Sequence, residues 1–342
     1  MSAIQAPNVD PAEQFLHRRT PVQRIHHVLH AYPALSPLVV LILASLLFGF
    51  LNPRFFDPKN LSLIFQQVAV VGALAVGQTI IILTAGIDLS IGAIMVFTSI
   101  VMAASASKFG LPGPAALGLG FIVGTLAGGL NGVLVTRLRL PPFIVTLGTL
   151  NIFLALTLLY SSGQTIQESD IPSLLLWTGE PITFASFKIT TGVLLMLGMY
   201  AVFTYILRNT AWGRHVYAVG DDAEAARLAG IPVTRILLTT YLTAGFVYAL
   251  SAWILIGRVG AASPNSSADA NLDSITAVVI GGTSLFGGRG IIIGSLLGAL
   301  IVGVFRNGLA LAGVDVLYQT LVVGVLVIAA VAVDQWIRRV RA

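Results

Sequence analysis

Apolar runs of membrane-spanning length recur from residue 35 to residue 337 of this 342-residue chain, and that recurrence restricts the fold more than any motif does. A helix needs about 20 largely apolar residues to cross a hydrocarbon core of about 30 Å. The runs lie at approximately 35–52, 62–84, 88–106, 113–136, 143–161, 189–207, 235–257, 272–286, 290–312 and 317–337. Only 10% of the residues are charged and 56% are hydrophobic, against roughly 25% charged in soluble domains; the mean hydropathy is +0.91. In lipid every backbone polar group must be satisfied within its own segment. The chain therefore reads as an all-α membrane protein with about ten transmembrane helices. The eighth run is short and glycine-rich, and reads either as a crossing or as a re-entrant hairpin.

Residues 1–34 are polar, with Arg18, Arg19 and Arg24 ahead of the first apolar run. A cleaved signal peptide would carry its apolar core nearer the start, so this segment is expected to be a cytoplasmic tail. His17, His26, His27 and His30 lack acidic or thiol residues at a ligand spacing, so no metal site is expected there. With the first residue inside, the inward loops hold Arg137, Arg139, Arg208, Arg214, Arg227, Arg235 and Arg289, plus a tail at 338–342. The outward loops hold Arg54, Lys59, Lys108 and Lys188, with Arg258 and Arg306 assignable to neither side. The asymmetry fits the positive-inside rule and predicts a membrane domain over 35–337 with both ends cytoplasmic.

One stretch breaks the oil. "GDDAEAARLAGI", Gly220 to Ile231, sits in the inward loop 208–234 and carries Asp221, Asp222, Glu224 and Arg227. With Asp221 as N-cap, Glu224 falls at the third helical position, where it can reach back to the cap amide and meet the positive end of the helix dipole. Gly230 suits the left-handed position after the helix, and Pro232 stops continuation. The expected helix has about eight residues, near 12 Å at about 1.5 Å per residue, and helices below about 12 residues are marginal alone. Alanines at 223, 225, 226 and 229 make it thin, and Leu228 offers an apolar anchor. Such a helix either rests on the chain's own inward ends or settles in a partner's groove.

Four stretches in order, "LTAGIDLSIGA", "NGVLVTRLRLPPFIVTLG", "GRHVYAVGDDAEAARLAGI" and "ITAVVIGGTSLFGGRGIIIGSLLGALIVGVFRNGL", resemble signature segments of the membrane subunits of bacterial ATP-driven importers for ribose, xylose, fructose and related sugars. The resemblance runs from about residue 40 to the end. It implies that Asp221, Asp222, Glu224, Ala225, Ala226, Arg227, Leu228 and Gly230 form the coupling helix gripped by an ABC ATPase subunit. It also implies a second permease subunit in a homodimer, a periplasmic sugar-binding protein, and the bacterial inner membrane. Three positions depart from the pattern: Ala85 replaces a frequent glycine, Asn271 a frequent acidic residue, and Ala310 a frequent asparagine.

The chain has no engine of its own. A phosphate loop needs a lysine in G-x-x-x-x-G-K-[ST], and Lys59, Lys108 and Lys188 stand in no such setting. No cofactor is expected on this chain, ATP and Mg belonging to the partner subunit, and no enzyme activity is expected either. "GGTSLFGGRG", 281–290, lacks the lysine and reads as closely packed or re-entrant backbone. A proton-coupled carrier would show titratable groups deep in its spans; Asp88 is the one strong candidate. Asp88 reads either as the N-cap of the third segment or as a functional break facing a solute path. For a neutral sugar, the expected path residues are Gln78, Asp88, Ser90, Asn131, Phe143, Thr146, Asn151, Thr283 and Asn307, each of which could equally bond a neighbouring helix. A branched-chain amino-acid permease and a stand-alone secondary carrier are the competing readings. Nothing in the chain points to nucleic acid.

Overall fold

The computed structural model describes residues 34–184, 186–266 and 269–339. The histidine-bearing tail and the last three residues lie outside them. Ten helices match the ten apolar runs: α1 (Leu35–Leu51), α2 (Pro58–Leu83), α3 (Ile91–Ser107), α4 (Gly113–Arg137), α5 (Pro142–Ser161), α6 (Thr191–Asn209), then, beyond two short helices α7 (Ala211–Asp221) and α8 (Ala223–Leu228), α9 (Val233–Val259), α10 (Ala270–Ile280), α11 (Ile292–Leu311) and α12 (Val316–Arg339). Six of them, α2, α4, α5, α6, α9 and α11, are long and apolar enough to cross a membrane; α1, α3 and α10 are shorter apolar helices, as is the stretch Val316–Leu326 of α12. The chain is a multi-pass membrane protein built almost wholly of helix.

α2 is the axis. From Gly72 to Leu83 every residue is buried, all apolar or small but for Gln78, and α6, α9, α10 and α11 pack around the helix. The tightest crossing is α4 on α9. Gly124, Gly128 and Gly132 repeat every fourth residue, so they share one face; Gly245 of α9 sits against the first two, and Tyr241 and Leu238 of α9 against Gly132. A Cβ on Gly128 would stand 2.7 Å from the Gly245 Cα, and one on Gly245 would stand 2.9 Å from the Gly128 Cα. Between helices in lipid, such small residues let backbones close and gain van der Waals contact.

The second half has its own close pair. α10 runs antiparallel to α11, with Asp273 opposite Arg306 and Gly298 against Ala277. At 11 residues, α10 spans only about 16 Å at 1.5 Å per residue. It starts at the end of the bundle opposite α8, and the 281–290 hairpin that follows reaches the α8 end, where the Gly288 amide donates to the Leu83 carbonyl at 3.0 Å. The eighth run is thus neither a full helix nor a hairpin returning to its own side. It is a half-helix followed by irregular backbone, of which Gly281, Thr283, Ser284 and Gly287 are buried against protein.

The long loop after α5 is ordered, a departure from the all-helical reading. It forms an antiparallel pair, β1 (Pro181–Phe184) and β2 (Phe187–Thr190), so the sixth helix begins at Thr191 and not at 189. Trp253 of α9 donates its indole N–H to the Leu174 carbonyl at 3.0 Å and packs on Trp177 with ring centroids 5.5 Å apart. These contacts seat the loop on the end opposite α8.

Candidate functional site

The loop between α6 and α9 folds as the two short helices α7 and α8. Asp222, not Asp221, caps α8: its Oδ1 accepts from the amides of Glu224 and Ala225, both at 2.9 Å. Asp221 is the last residue of α7. The shift by one residue puts Glu224 at the second helical position, where it cannot close a capping box, and it pairs instead with Arg227 in the next turn. That pairing, a hydrogen bond first and charge second, holds the Glu224 carboxyl below its usual value. α8 has six residues, not eight. Its far end closes as expected: Gly230 has φ +83°, the Ile231 amide donates to the Ala226 carbonyl, and the Gly230 amide donates to the Arg227 carbonyl, both at 3.0 Å. This is the double bond pattern of a glycine-terminated helix.

α8 offers almost everything to solvent. Ala226 alone is buried, at 5% exposure, while Leu228 is 79% exposed and Ala223, Ala225, Arg227 and Ala229 are exposed as well. Leu228 is thus a large apolar side chain standing free on a capped helix, outside the apolar spans.

The root of this helix touches both breaks in the helical bundle. Gly220, at the end of α7, lies so close to the end of α2 and the 281–290 hairpin that a Cβ there would stand 2.7 Å from the Gly288 nitrogen. A Cβ on Gly288 would likewise stand 2.7 Å from the Asp221 Cα, and one on Gly287 would stand 2.8 Å from the Ala85 Cβ. Tyr217 of α7 donates its hydroxyl to the Gly290 carbonyl at 3.0 Å. Backbone packed on backbone without intervening side chains transmits displacement, because close-packed interiors have little compressibility.

The first break, Thr84 to Ser90, leads from that junction into the core. Asp88 is fully buried. Its Oδ1 accepts from the Ser90 amide at 2.8 Å and from the Ser90 hydroxyl at 2.6 Å, and its Oδ2 accepts from the Tyr248 hydroxyl at 3.1 Å. The N-cap residue of α3 is Ser90, so Asp88 satisfies the turn that delivers the chain to the helix and is not itself the cap. Asn131 of α4 donates to the Ser90 hydroxyl at 2.8 Å, and the Thr146 hydroxyl of α5 lies 3.1 Å from the Ile87 carbonyl. Asp88, Ser90, Asn131 and Thr146 therefore meet in one cluster linking α3, α4, α5 and α9.

The other expected path residues lie apart from that cluster. Gln78 is buried in α2 with neither amide atom hydrogen-bonded, and the Thr283 hydroxyl is buried and unpartnered in the hairpin. Asn307 exchanges two hydrogen bonds of 2.9 Å with Asn60 in the half opposite α8. Phe143 is 48% exposed at the start of α5, and Asn151 is exposed on the same helix, its amide turned back to the Leu147 carbonyl at 3.1 Å.

Over residues 60–331 the chain matches the family described as "Branched-chain amino acid transport system / permease component". The chain belongs to this permease family. It is 50% identical over 339 residues to the fructose import permease protein FrcC of Rhizobium meliloti, covering 98% of this chain and 94% of that one. It is 38% identical over 307 residues to the ribose import permease protein RbsC of Bacillus subtilis, covering 88% and 92%. The D-allose transport system permease protein AlsC of Escherichia coli is 34% identical over 301 residues, 88% of this chain and 91% of that one.

Within the permease, sequence reasoning missed Tyr248 and Tyr241. Both lie in the apolar run of α9, seven residues apart and so on one helix face; Tyr248 holds Asp88, and the Tyr241 hydroxyl is buried without a partner. That spacing is a signal only once Asp88 is known to pack on α9. The three departures noted in the sequence acquire physical content. Ala85 has φ +59°, a left-handed conformation that glycine adopts without strain. Asn271 accepts from the Gly92 amide at 2.6 Å, tying α10 to the start of α3 with an oxygen that a carboxylate would supply as well. Ala310 lines a cavity in the half opposite α8.

Proposed function

We propose that this chain is the membrane permease subunit of an ATP-binding-cassette importer that moves a monosaccharide, a pentose or a hexose, across the bacterial inner membrane. The observation that carries the reading is the joint between an exposed helix and two broken spans. α8 is free to be gripped, and its root at Gly220–Asp221 packs directly on Leu83 and Gly287–Gly288, with Ala85 against Gly287. A separate ATPase subunit holding Leu228 and the alanine face would push this joint as it binds and hydrolyses ATP. The two breaks would then shift α3, α10 and α11 relative to the α4–α9 pair, opening the path alternately to each side. Nucleotide chemistry stays on the partner, and this chain supplies the lever and the path.

In this reading ten segments cross, α10 together with the 281–290 hairpin counting as one. The α8 end faces the cytoplasm, in accord with Arg137, Arg139, Arg208, Arg214, Arg227, Arg235 and Arg289 at that end. A second copy completes the path, with Phe143 and Asn151 on the exposed face of α5 available to line it. A periplasmic sugar-binding protein delivers solute at the end covered by the 162–190 loop. Asp88, Ser90, Asn131 and Thr146 set the inner part of the path by holding the first break in shape.

The names of the relatives, fructose, ribose and D-allose permeases, support a sugar as cargo; the family description admits branched-chain amino acids. Proteoliposomes holding the permease, its ATPase and the sugar-binding protein decide between them. Uphill uptake of D-fructose or D-ribose that needs ATP, with no uptake of L-leucine, is the expected result. Gradient-driven sugar flux by the permease without its ATPase would establish a carrier instead.

A further inference from the structure

We propose that the permease holds a solute subsite of its own in the half opposite α8, where the Arg306–Asp273 pair and its neighbours take the hydroxyls of a neutral monosaccharide. The inference rests on the sugar reading above and places one binding station within a single copy of the chain.

The station is an open cavity of about 480 Å³ lined by α2, α10, α11 and the start of α12, with Arg258 at the end of α9 also lining it. Small-ligand pockets run from about 300 to 1,000 Å³, so a single sugar with some water fits. Its lining is mixed: Val68, Val71, Ala299 and Val302 supply apolar surface, and Gln67, Arg258, Asp269, Asp273, Arg306 and Gln319 supply polar groups. A pyranose or furanose ring offers both kinds of surface as well, with C–H faces and a hydroxyl rim.

The polar groups have bonding capacity left over. Arg306 Nη2 donates to Asp273 Oδ1 at 2.7 Å and stands 3.7 Å from Asp269 Oδ2, while its Nε is buried with no partner. Arg258 and Gln67 line the cavity without a hydrogen bond or ion pair to any described residue. A guanidinium fork beside a carboxylate offers donors and an acceptor at fixed spacing, which matches two adjacent hydroxyls, each both donor and acceptor. Two arginines against two aspartates leave no net charge. The cavity therefore has no unbalanced field for an anion or a cation.

A purely structural role fits poorly. α10 and α11 already meet closely where Gly298 faces Ala277, a Cβ on Gly298 standing 2.7 Å from the Ala277 carbonyl carbon. Replacing a buried ion pair by apolar side chains is often neutral or stabilising, so holding two apolar helices together does not call for one. Ionisable groups at membrane depth mark solute pathways far more often than they mark glue.

The chain contains no cysteine, which makes the test direct. A Val71→Cys variant, assembled with its ATPase and solubilised without the sugar-binding protein, is exposed to a small water-soluble methanethiosulfonate. D-fructose at ten times its dissociation constant is expected to slow labelling about tenfold, since the free fraction falls as 1 + [L]/Kd. D-ribose protects by a different factor, and L-leucine does not protect. Adding Asp273→Asn is expected to abolish protection while labelling without sugar continues at the same rate. The pair exchange Asp273→Arg with Arg306→Asp keeps the ion pair but reverses its donors. Restored protection with an unchanged ranking of the two sugars would mean the pair only joins helices, and would overturn the proposal. So would full labelling at any sugar concentration in a transporter that still imports sugar by ATP, or protection by L-leucine. A wild-type transporter that imports no sugar would instead refute the functional reading on which the proposal rests.

Discussion

Asp222→Ala isolates the lever from the rest of the permease. The Asp222 carboxylate satisfies two of the free amides at the start of α8, those of Glu224 and Ala225. Loss of an N-cap costs about 1 kcal/mol in typical cases. Both amides lie on an exposed helix, so water replaces the carboxylate and the cost stays near that value. The other end keeps its two bonds around Gly230, so α8 loosens without being lost. If the ATPase grips only the formed helix, 1 kcal/mol weakens its binding by up to about fivefold, the full factor applying where the free helix is formed only part of the time. Titrating the ATPase subunit onto permease in lipid nanodiscs reads this directly. Asp222→Asn and Asp222→Ser, which keep a capping oxygen, are expected to restore affinity. Asp221→Ala is the sharp control: its carboxylate caps nothing, so affinity should not move. Equal loss from Asp221→Ala and Asp222→Ala, or none from either, would refute the assignment of the cap and of the grip.

Further outcomes follow from the same geometry. Gly128→Ala and Gly245→Ala each insert a Cβ where α4 and α9 leave no room, and should destabilise the purified permease by about 1–3 kcal/mol, read as a fall in its melting temperature. Ala85→Gly relieves a left-handed alanine, which costs roughly 1–2 kcal/mol; a rise in melting temperature with uptake preserved is expected. Asp88→Asn keeps an oxygen for the Ser90 amide and should transport nearly normally. Asp88→Ala leaves that amide and the Tyr248 hydroxyl buried and unpaired, at about 1–3 kcal/mol each, and should lose both stability and uptake.

The ten apolar runs are legible because lipid imposes one rule on every segment, and each run but the eighth coincides with a helix to within a few residues. The glycine end of α8 is legible too, since only Gly230 in that stretch adopts a positive φ cheaply. The cap was misplaced by one residue because "DD" offers two equivalent candidates, and what decides between them is that α7 runs on through Asp221, a tertiary matter. The same holds for the eighth run: hydropathy marks it as apolar but is blind to the close Gly294–Gly298 face that lets a half-helix and a hairpin stand in for a span. Asp88, Ser90, Asn131 and Thr146 could be named singly by polarity; that they share one cluster depends on Gly128 bringing α4 onto α9. Arg306 and Asp273, 33 residues apart, escaped because each reads alone as a charge near a segment end.

The central claim is that motion enters through α8. Replacing residues 223–230 with a glycine–serine linker of equal length, in an assembled transporter with its ATPase and sugar-binding protein, tests it most directly by ATP-driven sugar uptake into proteoliposomes. The account predicts that uptake vanishes while the permease still inserts and its melting temperature holds, because α8 contributes only Ala226 to the buried core. Uptake at the native rate would contradict it.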